Sequence, residues 1–159
     1  MNKVEFFLKE NKISYLLHMH KAVYTTTEAE KFCKSVQGMH CKNLFLYEKS
    51  SNRYFLVILP AFKNVDFKKL FSELCCKRLQ FASSALLEGK LNLQAGSVSL
   101  FGLLNDENDE VELIIDEDVY NSDVVSFHPN INTATIELEK NMFYQVLGLL
   151  KKNHKIIKL

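Results

Sequence analysis

The stretch NLFLYEKSSNRYFLVILP, residues 43–60, decides the fold. Its two halves, NLFLYEK at 43–49 and RYFLVILP at 53–60, are rich in aromatic and aliphatic side chains, and the turn-prone SSN separates them. Apolar runs of this length, bounded by polar turn residues, predict two strands joined as a hairpin.

Moving outward, VEFFLKEN at 4–11 predicts a short amphipathic helix and SYLLHMH at 14–20 an extended segment. TTTEAEKFCKSV opens with Thr25 or Thr26 as a cap, and Glu28 stands three residues after Thr25, a helix-start pattern. Beyond the hairpin, NVDFKKLFSELC predicts an Asp-capped helix with Val65, Phe67, Leu70, Phe71 and Leu74 inward. SALLEGK predicts a short helix closed by Gly89, and AGSVSLFGLLND at 95–106 a structured loop. EVELIID at 110–116, DVVSF at 123–127 and TATIEL at 133–138 predict three more strands, and EKNMFYQVLGLLKKN a closing helix. Hairpins interleaved with helices predict an α/β fold with a mixed sheet covered by helices, not a purely parallel one.

With 159 residues, 47% of them hydrophobic, the chain can bury one sizeable core, so residues 1–159 are expected to form a single domain. Charges recur every few residues in the opening MNKVEFFLKENKISY, which fits neither a signal peptide nor a membrane span. Cys33, Cys41, Cys75 and Cys76 show no CxxC spacing, as expected of a reduced cytoplasmic protein. The net charge of +1 conceals a segregation: residues 31–78 carry ten Lys or Arg against three acids, whereas 105–118 carry eight acids and no base. Either segment can be a plain solvated face, or the basic one can attract a polyanion.

Phosphate-loop, dinucleotide, nucleophile-elbow and zincin motifs are all missing, so function must rest on a subtler site. His18 and His20 would share a strand face, and His40 adjoins Cys41, but no pair has structural-zinc spacing. Polar residues at a strand end is the better reading of them. Cys41 as a nucleophile with His128 is weaker than Cys41 as simple packing. More informative are KNLFL at 42–46, GSVSLFGLLND at 96–106 and FHPNINTATI at 127–136. Lys42 sits at a strand mouth, where its ammonium must reach solvent or meet an anion.

In order and spacing these three stretches resemble the YbaK/prolyl-tRNA synthetase-associated editing domain family, and most closely its free-standing, trans-acting Ala-tRNA(Pro) deacylase branch. The likeness runs from ISYLLHMHKAVYTTTEAE to the C-terminal helix. It implies a mixed, partly barrel-like sheet ringed by helices, and hydrolysis of the ester that joins a wrong amino acid to the terminal adenosine of tRNA. By the resemblance Lys42 corresponds to the lysine that engages the terminal phosphate or ribose, and His128 to the active-site histidine. Gly96 opens the substrate loop, and Asn43, Val23, Phe45, Ser97 and Asn132 are expected around the substrate. Two positions depart from the pattern: Leu100 stands where the loop usually has proline, and Lys21 where many members have proline.

The implied partners are the acceptor end of a mischarged tRNA(Pro) and prolyl-tRNA synthetase, with no membrane. No metal or cofactor is expected, since an activated ester needs a positioned water and a stabilised oxyanion more than a Lewis acid. Backbone amides of the Gly96-Ser97 loop are candidate donors to that oxyanion. Three alternatives remain at this stage: a Cys-tRNA(Pro) deacylase of the same family, a catalytically silent RNA-binding module, and a small-molecule esterase or metal protein.

Overall fold

The computed structural model describes residues 1–22, 31 and 33–159. The expected helix opening at Thr25 or Thr26, and Val23, lie outside the described residues. The chain runs α1 (Lys3–Glu10), β1 (Leu16–Met19), a 3-10 turn (Cys33–Ser35), β2 (Met39–Glu48), β3 (Arg53–Pro60), α2 (Phe67–Leu74) and β4 (Gln80–Phe81). It continues through α3 (Ser84–Leu91), a second 3-10 turn (Leu100–Asn105), β5 (Val111–Asp116), α4 (Glu117–Asn121), β6 (Val124–Phe127), β7 (Ala134–Glu139), α5 (Lys140–Leu150) and β8 (His154–Ile157).

The hairpin forms as the sequence predicts: β2 and β3 pair antiparallel, Cys41 opposite Pro60 through Glu48 opposite Arg53. The whole is a mixed eight-stranded sheet in the order β1-β7-β6-β2-β3-β5-β8, with β4 paired to β2. Pairs β2/β6, β3/β5 and β5/β8 are parallel. The seven residues Tyr54–Pro60 of β3 read as one continuous apolar run because both faces are covered. One face packs Leu56, Ile58, Leu113 and Ile115 against α1, α3, α5 and the second 3-10 turn. The other packs Phe55, Val57, Leu59 and Leu46 beneath Leu70 and Leu74 of α2.

Asp66 caps α2, accepting from the Lys69 N–H at 3.1 Å, as its position predicts. Gly89 does not close α3. The helix runs on to Leu91, and Asn92 caps it at φ 50°, the left-handed conformation that asparagine tolerates better than most side chains. Gly89 has nothing near its missing side chain, so it sits in the helix as an exposed residue. The short elements β4, α4 and β8 carry too few periodic positions to be read from sequence.

Much of the acidic segment is spent on holding the fold. Asp116 is fully buried; it receives the Lys63 ammonium at 2.9 and 3.1 Å and the N–H groups of Asp118 and Leu159. Asp106 likewise receives the Glu110 and Val111 N–H groups and the Lys152 ammonium. No described helix is long and apolar enough to cross a membrane. Because Asp116→Ala leaves the Asp118 and Leu159 N–H groups without their acceptor and takes one of two carboxylates from Lys63, it is expected to cost about 3–5 kcal/mol in urea unfolding. The exposed partner change Glu110→Ala, which breaks only the contact to Lys90, is expected to cost under about 1 kcal/mol. Equal losses would contradict this ranking.

Candidate functional site

Strand β2 is longer than the sequence suggested, because MHCK at 39–42 joins it. One edge of β2 is fully occupied: β3 pairs with 41–48, and the Ala61 N–H donates to the His40 carbonyl. The opposite edge is shared. β6 pairs parallel with it at Met39 and His40, β4 pairs with it at Leu46 and Tyr47, and the Ala82 N–H donates to the Phe45 carbonyl. No described strand covers residues 42–44 on this edge. Main-chain groups alternate edges along a strand, so the pattern set by Phe45 turns the N–H and C=O of Asn43 toward the opening.

Side chains alternate as well, and they give this opening two faces. On one face, Ser126 pairs across from Glu137, and His18 across from Thr135. His40 joins them, its Nδ1 lying 3.3 Å from the Ser126 hydroxyl. This face of the β1-β7-β6-β2 half-sheet is polar, and it places buried Ser126, Thr135 and Glu137 side by side. Lys42 follows His40 on that face, whereas the next two positions, Leu44 and Leu46, pack toward α2. The paired residues of β2 and β6 are Met39–Val125 and His40–Ser126. Beyond these pairs β2 and β6 part, with Lys42 two residues past His40 on one chain and His128 two residues past Ser126 on the other.

His128 is held in one tautomer. Its Nδ1 lies 2.8 Å from the Ala134 carbonyl, which can only accept, so Nδ1 carries the proton and Nε2 presents a lone pair. Burial depresses its pKa below the usual 6.5, aided by neighbouring His20; the Ala134 bond opposes the shift. The His20 ring stands edge-on to His128 at 5.9 Å, with Nδ1 on the Lys21 carbonyl and Nε2 2.9 Å from the Thr135 hydroxyl. His18 Nε2 lies 2.6 Å from Glu137 Oε1 without the alignment of a hydrogen bond. Glu137 also receives the Gln37 and Gly38 N–H groups at 3.2 Å, which pins the entry to β2.

Asn43 lies on the other face, with Cys41 and Phe45. Its side-chain oxygen is buried without a hydrogen-bond partner among the described residues. Phe45 is buried and stacked on Tyr54 at 6.1 Å, supporting the strand from within the core. Burial pushes the Cys41 thiol up to about 12, far from a thiolate at neutral pH, which removes the nucleophile reading. Gly96 adopts φ 87°, a conformation that favours glycine, in a turn closed by the Ser97 N–H on the Gln94 carbonyl at 3.1 Å. That amide is therefore committed within the loop and is not a spare donor.

The loop and the HPN segment are tied together. The Asn130 amide donates to the Phe101 carbonyl at 3.1 Å, and Asn2 donates to the Pro129 carbonyl. Asn130 adopts φ 62°, and its oxygen is also buried without a partner. Asn132 lies in the turn that follows, half-buried. Leu100 starts the 3-10 turn, a position where proline is favoured, and is fully buried beneath the Ser99 cap. Burial thus anchors the loop where the family pattern uses a rigid ring. Among the described residues, no three His, Cys, Asp or Glu are placed to hold a metal ion. Sequence reasoning missed His20, His40, Ser126 and Asn130 as parts of this site. The two-residue spacing of His18 and His20, and of Ser126 and His128, is the signal that could have found the polar face.

Residues 20–144 match the aminoacyl-tRNA editing domain family. The chain is 36% identical over 152 residues to the prolyl-tRNA editing protein ProX of Acetoanaerobium sticklandii, covering 96% of this chain and 93% of that protein. It is 30% identical over 128 residues to the prolyl-tRNA synthetase associated domain-containing protein 1 of Bos taurus, covering 78% and 74%. The fold matches the crystal structure of a proposed trans-editing enzyme for prolyl tRNA synthetase with a TM-score of 0.72, at 13% identity and over 100% and 99% of the two chains.

The depressed His128 pKa gives a measurable sign. An unfolded chain holds histidine near 6.5, so below that pH it takes up the proton more readily than the fold, and His128 withdraws stability as pH falls. Imidazole 15N–1H spectra are expected to show the Nδ1–H form at pH 7.5 and a midpoint below 6.5. A midpoint at or above 6.5 would contradict the buried, carbonyl-anchored ring.

Proposed function

We propose that this chain, which belongs to the aminoacyl-tRNA editing domain family, is a trans-acting hydrolase that clears alanine mischarged onto tRNA(Pro). The observation that supports the reading is the opening on β2: the uncovered edge at Asn43, whose side-chain oxygen is an orphan, lies next to Lys42, where β2 parts from the strand that leads into His128 with its anchored ring. The names of the relatives, a prolyl-tRNA editing protein and proteins of the synthetase-associated domain type, support the choice of tRNA(Pro).

In this mechanism the terminal adenosine lies across the opening. Lys42 makes no ion pair among the described residues and holds a phosphate or ribose oxygen as a point charge. Water attacks the ester carbonyl carbon, its C–O bond to the ribose breaks, and the released ribose oxygen takes a proton. Neutral His128 accepts a hydrogen bond from the attacking water or from the free ribose hydroxyl and so orients it. The oxyanion is met by amides of the Gly96 loop other than that of Ser97, with those of Gly96, Val98 and Ser99 as the candidates. The orphan Asn43 oxygen is an acceptor suited to the substrate's α-ammonium or ribose hydroxyl. Val23, Ser97 and Asn132 complete the proposed surroundings of the amino acid, and Phe45 backs the strand behind them from the core.

A pocket sized for a methyl group excludes the pyrrolidine ring of proline by clash, but it cannot strongly reject smaller side chains, since a missing methylene is worth only about 1–3 kcal/mol. Ala-tRNA(Pro) should therefore be hydrolysed and Pro-tRNA(Pro) spared. Tests with cysteine and serine on the same tRNA separate this from a cysteine-clearing enzyme. Lys42→Ala is expected to lower single-turnover hydrolysis at least about tenfold, or about 1.4 kcal/mol of transition-state stabilisation. His128→Ala should retain a measurable remainder, because positioning and oxyanion donation persist. Equal rates on Ala- and Pro-tRNA(Pro), or a folded Lys42→Ala with the wild-type rate, would contradict the reading.

A further inference from the structure

The side of β2 that carries Lys42 continues, two and four residues on, into an unusual rim. Leu44 and Leu46 go under α2, and at the edge of this layer the aromatic rings gather: Phe67 lies 6.1 Å from Phe71 and 6.3 Å from Phe81. Phe81, opposite Leu46 on the two-residue strand β4, is 63% exposed. A large aromatic left open on a sheet edge, its ring edge-on to Phe67, contributes little to the core and offers an exposed face.

The charge around that face is one-sided. Lys68, Lys77 and Arg78 are exposed and Lys69 is half-buried, and none forms an ion pair among the described residues. The nearby acids are engaged elsewhere: Asp66 caps α2, Glu48 accepts the Lys77 main-chain N–H at 2.7 Å, and Glu73 lies 3.8 Å from Lys155. By contrast Arg53 and Lys63, two half-buried cations of the molecule, are matched by Glu112 and by Asp116 with Asp118. The fold thus pairs these two half-buried cations and leaves the side chains of the rim cations without ion pairs among the described residues.

We propose that this rim, Phe67 and Phe81 with Lys68, Lys69, Lys77 and Arg78, docks the RNA strand that leads to the Lys42 opening. Exposed aromatic faces among unpaired cations are how proteins hold single-stranded nucleic acid: bases stack on the rings while the cations track the phosphates. From Lys42 to Leu46 is about 13 Å along the strand, so one extended RNA segment can touch both places. The inference rests on the proposed nucleic-acid reading of the Lys42 site and adds to it where the rest of the RNA lies.

The test uses the full chain and a fluorescent RNA hairpin copying the tRNA acceptor stem with its single-stranded 3′ end. Phe81→Ala is expected to weaken binding at least about fivefold, with Phe81→Leu, which keeps the apolar bulk but not the ring, similarly weak. Lys77→Glu/Arg78→Glu should weaken binding further and make the slope of log affinity against log salt shallower by at least about 1. Lys9→Glu/Lys12→Glu, on α1 and the turn that follows it over the other core, should bind within about twofold of wild type at the same salt. Hydrolysis of the small ester 3′-O-alanyl-adenosine should be unchanged in the rim variants. Wild-type affinity and salt slope in folded rim variants would overturn the proposal, as would an equal loss in the α1 variant. Loss of affinity for prolyl-tRNA synthetase without loss for RNA would overturn it too. Wild-type protein that binds the hairpin through the rim but hydrolyses no mischarged tRNA would leave the rim standing and remove the deacylase reading.

Discussion

One edge of strand β2 has to serve two neighbours, and the rest of the site follows from its failure to serve both continuously. Buried main-chain donors and acceptors need partners, and β2 finds them in β3 along nearly its whole length. On its other edge β6 stops pairing after His40 and β4 starts only at Leu46. The uncovered residues between them lie beyond the carboxyl end of the pairing between parallel β2 and β6, the kind of place where open α/β sheets bind ligands. Asn43 is left with an orphan side-chain oxygen there. The constraint also fixes the neighbours of the opening: the HPN segment arrives from β6, and its Asn130 grips the Phe101 carbonyl of the glycine loop.

Electrostatics divides the same sheet into structural and functional charge. The acidic segment supplies Asp106 and Asp116, both buried, and each collects main-chain N–H groups and a lysine. A buried carboxylate with such a set of partners is an organiser of turns, costly to break and unavailable for chemistry. On the side of β2 that carries Lys42, the cations Lys68, Lys69, Lys77 and Arg78 form no ion pair among the described residues. Segregation in the sequence thus becomes two different physical states: acids that close loops inside the molecule, and bases that face outward. His128 sits between these regimes as a neutral, anchored ring whose proton position is set by the Ala134 carbonyl.

The hairpin, the Asp66 cap and the mixed sheet were legible because each has a local cause: two apolar runs, a side chain that reaches a free N–H, and alternating helix and strand signals. Lys42, Gly96 and His128 were singled out only through the resemblance carried by three separated stretches. The polar face beside Lys42 depends on β2 pairing with β6 across 86 residues of chain, as between His40 and Ser126, which no local pattern encodes. Gly89 misled because glycine is a common helix terminator, whereas here Asn92 takes the left-handed position. The Ser97 amide looked like a spare donor until the turn that consumes it was visible. His20 and His40 were read as strand-end residues, which they are, but their role as walls of a polar face needed the register of four strands.

The account stands or falls on whether the aminoacylated end of RNA occupies the uncovered edge of β2. The most direct measurement is a titration of 15N-labelled protein with a non-hydrolysable amide analogue, 3′-alanylamino-3′-deoxyadenosine, followed by amide and imidazole shifts. The account predicts that the largest shifts fall on Asn43, Ser99 and the His128 ring, and that they saturate together. Saturating shifts confined to another surface, such as the groove between Asp106 and Lys152, with Asn43 and His128 unmoved, would contradict it.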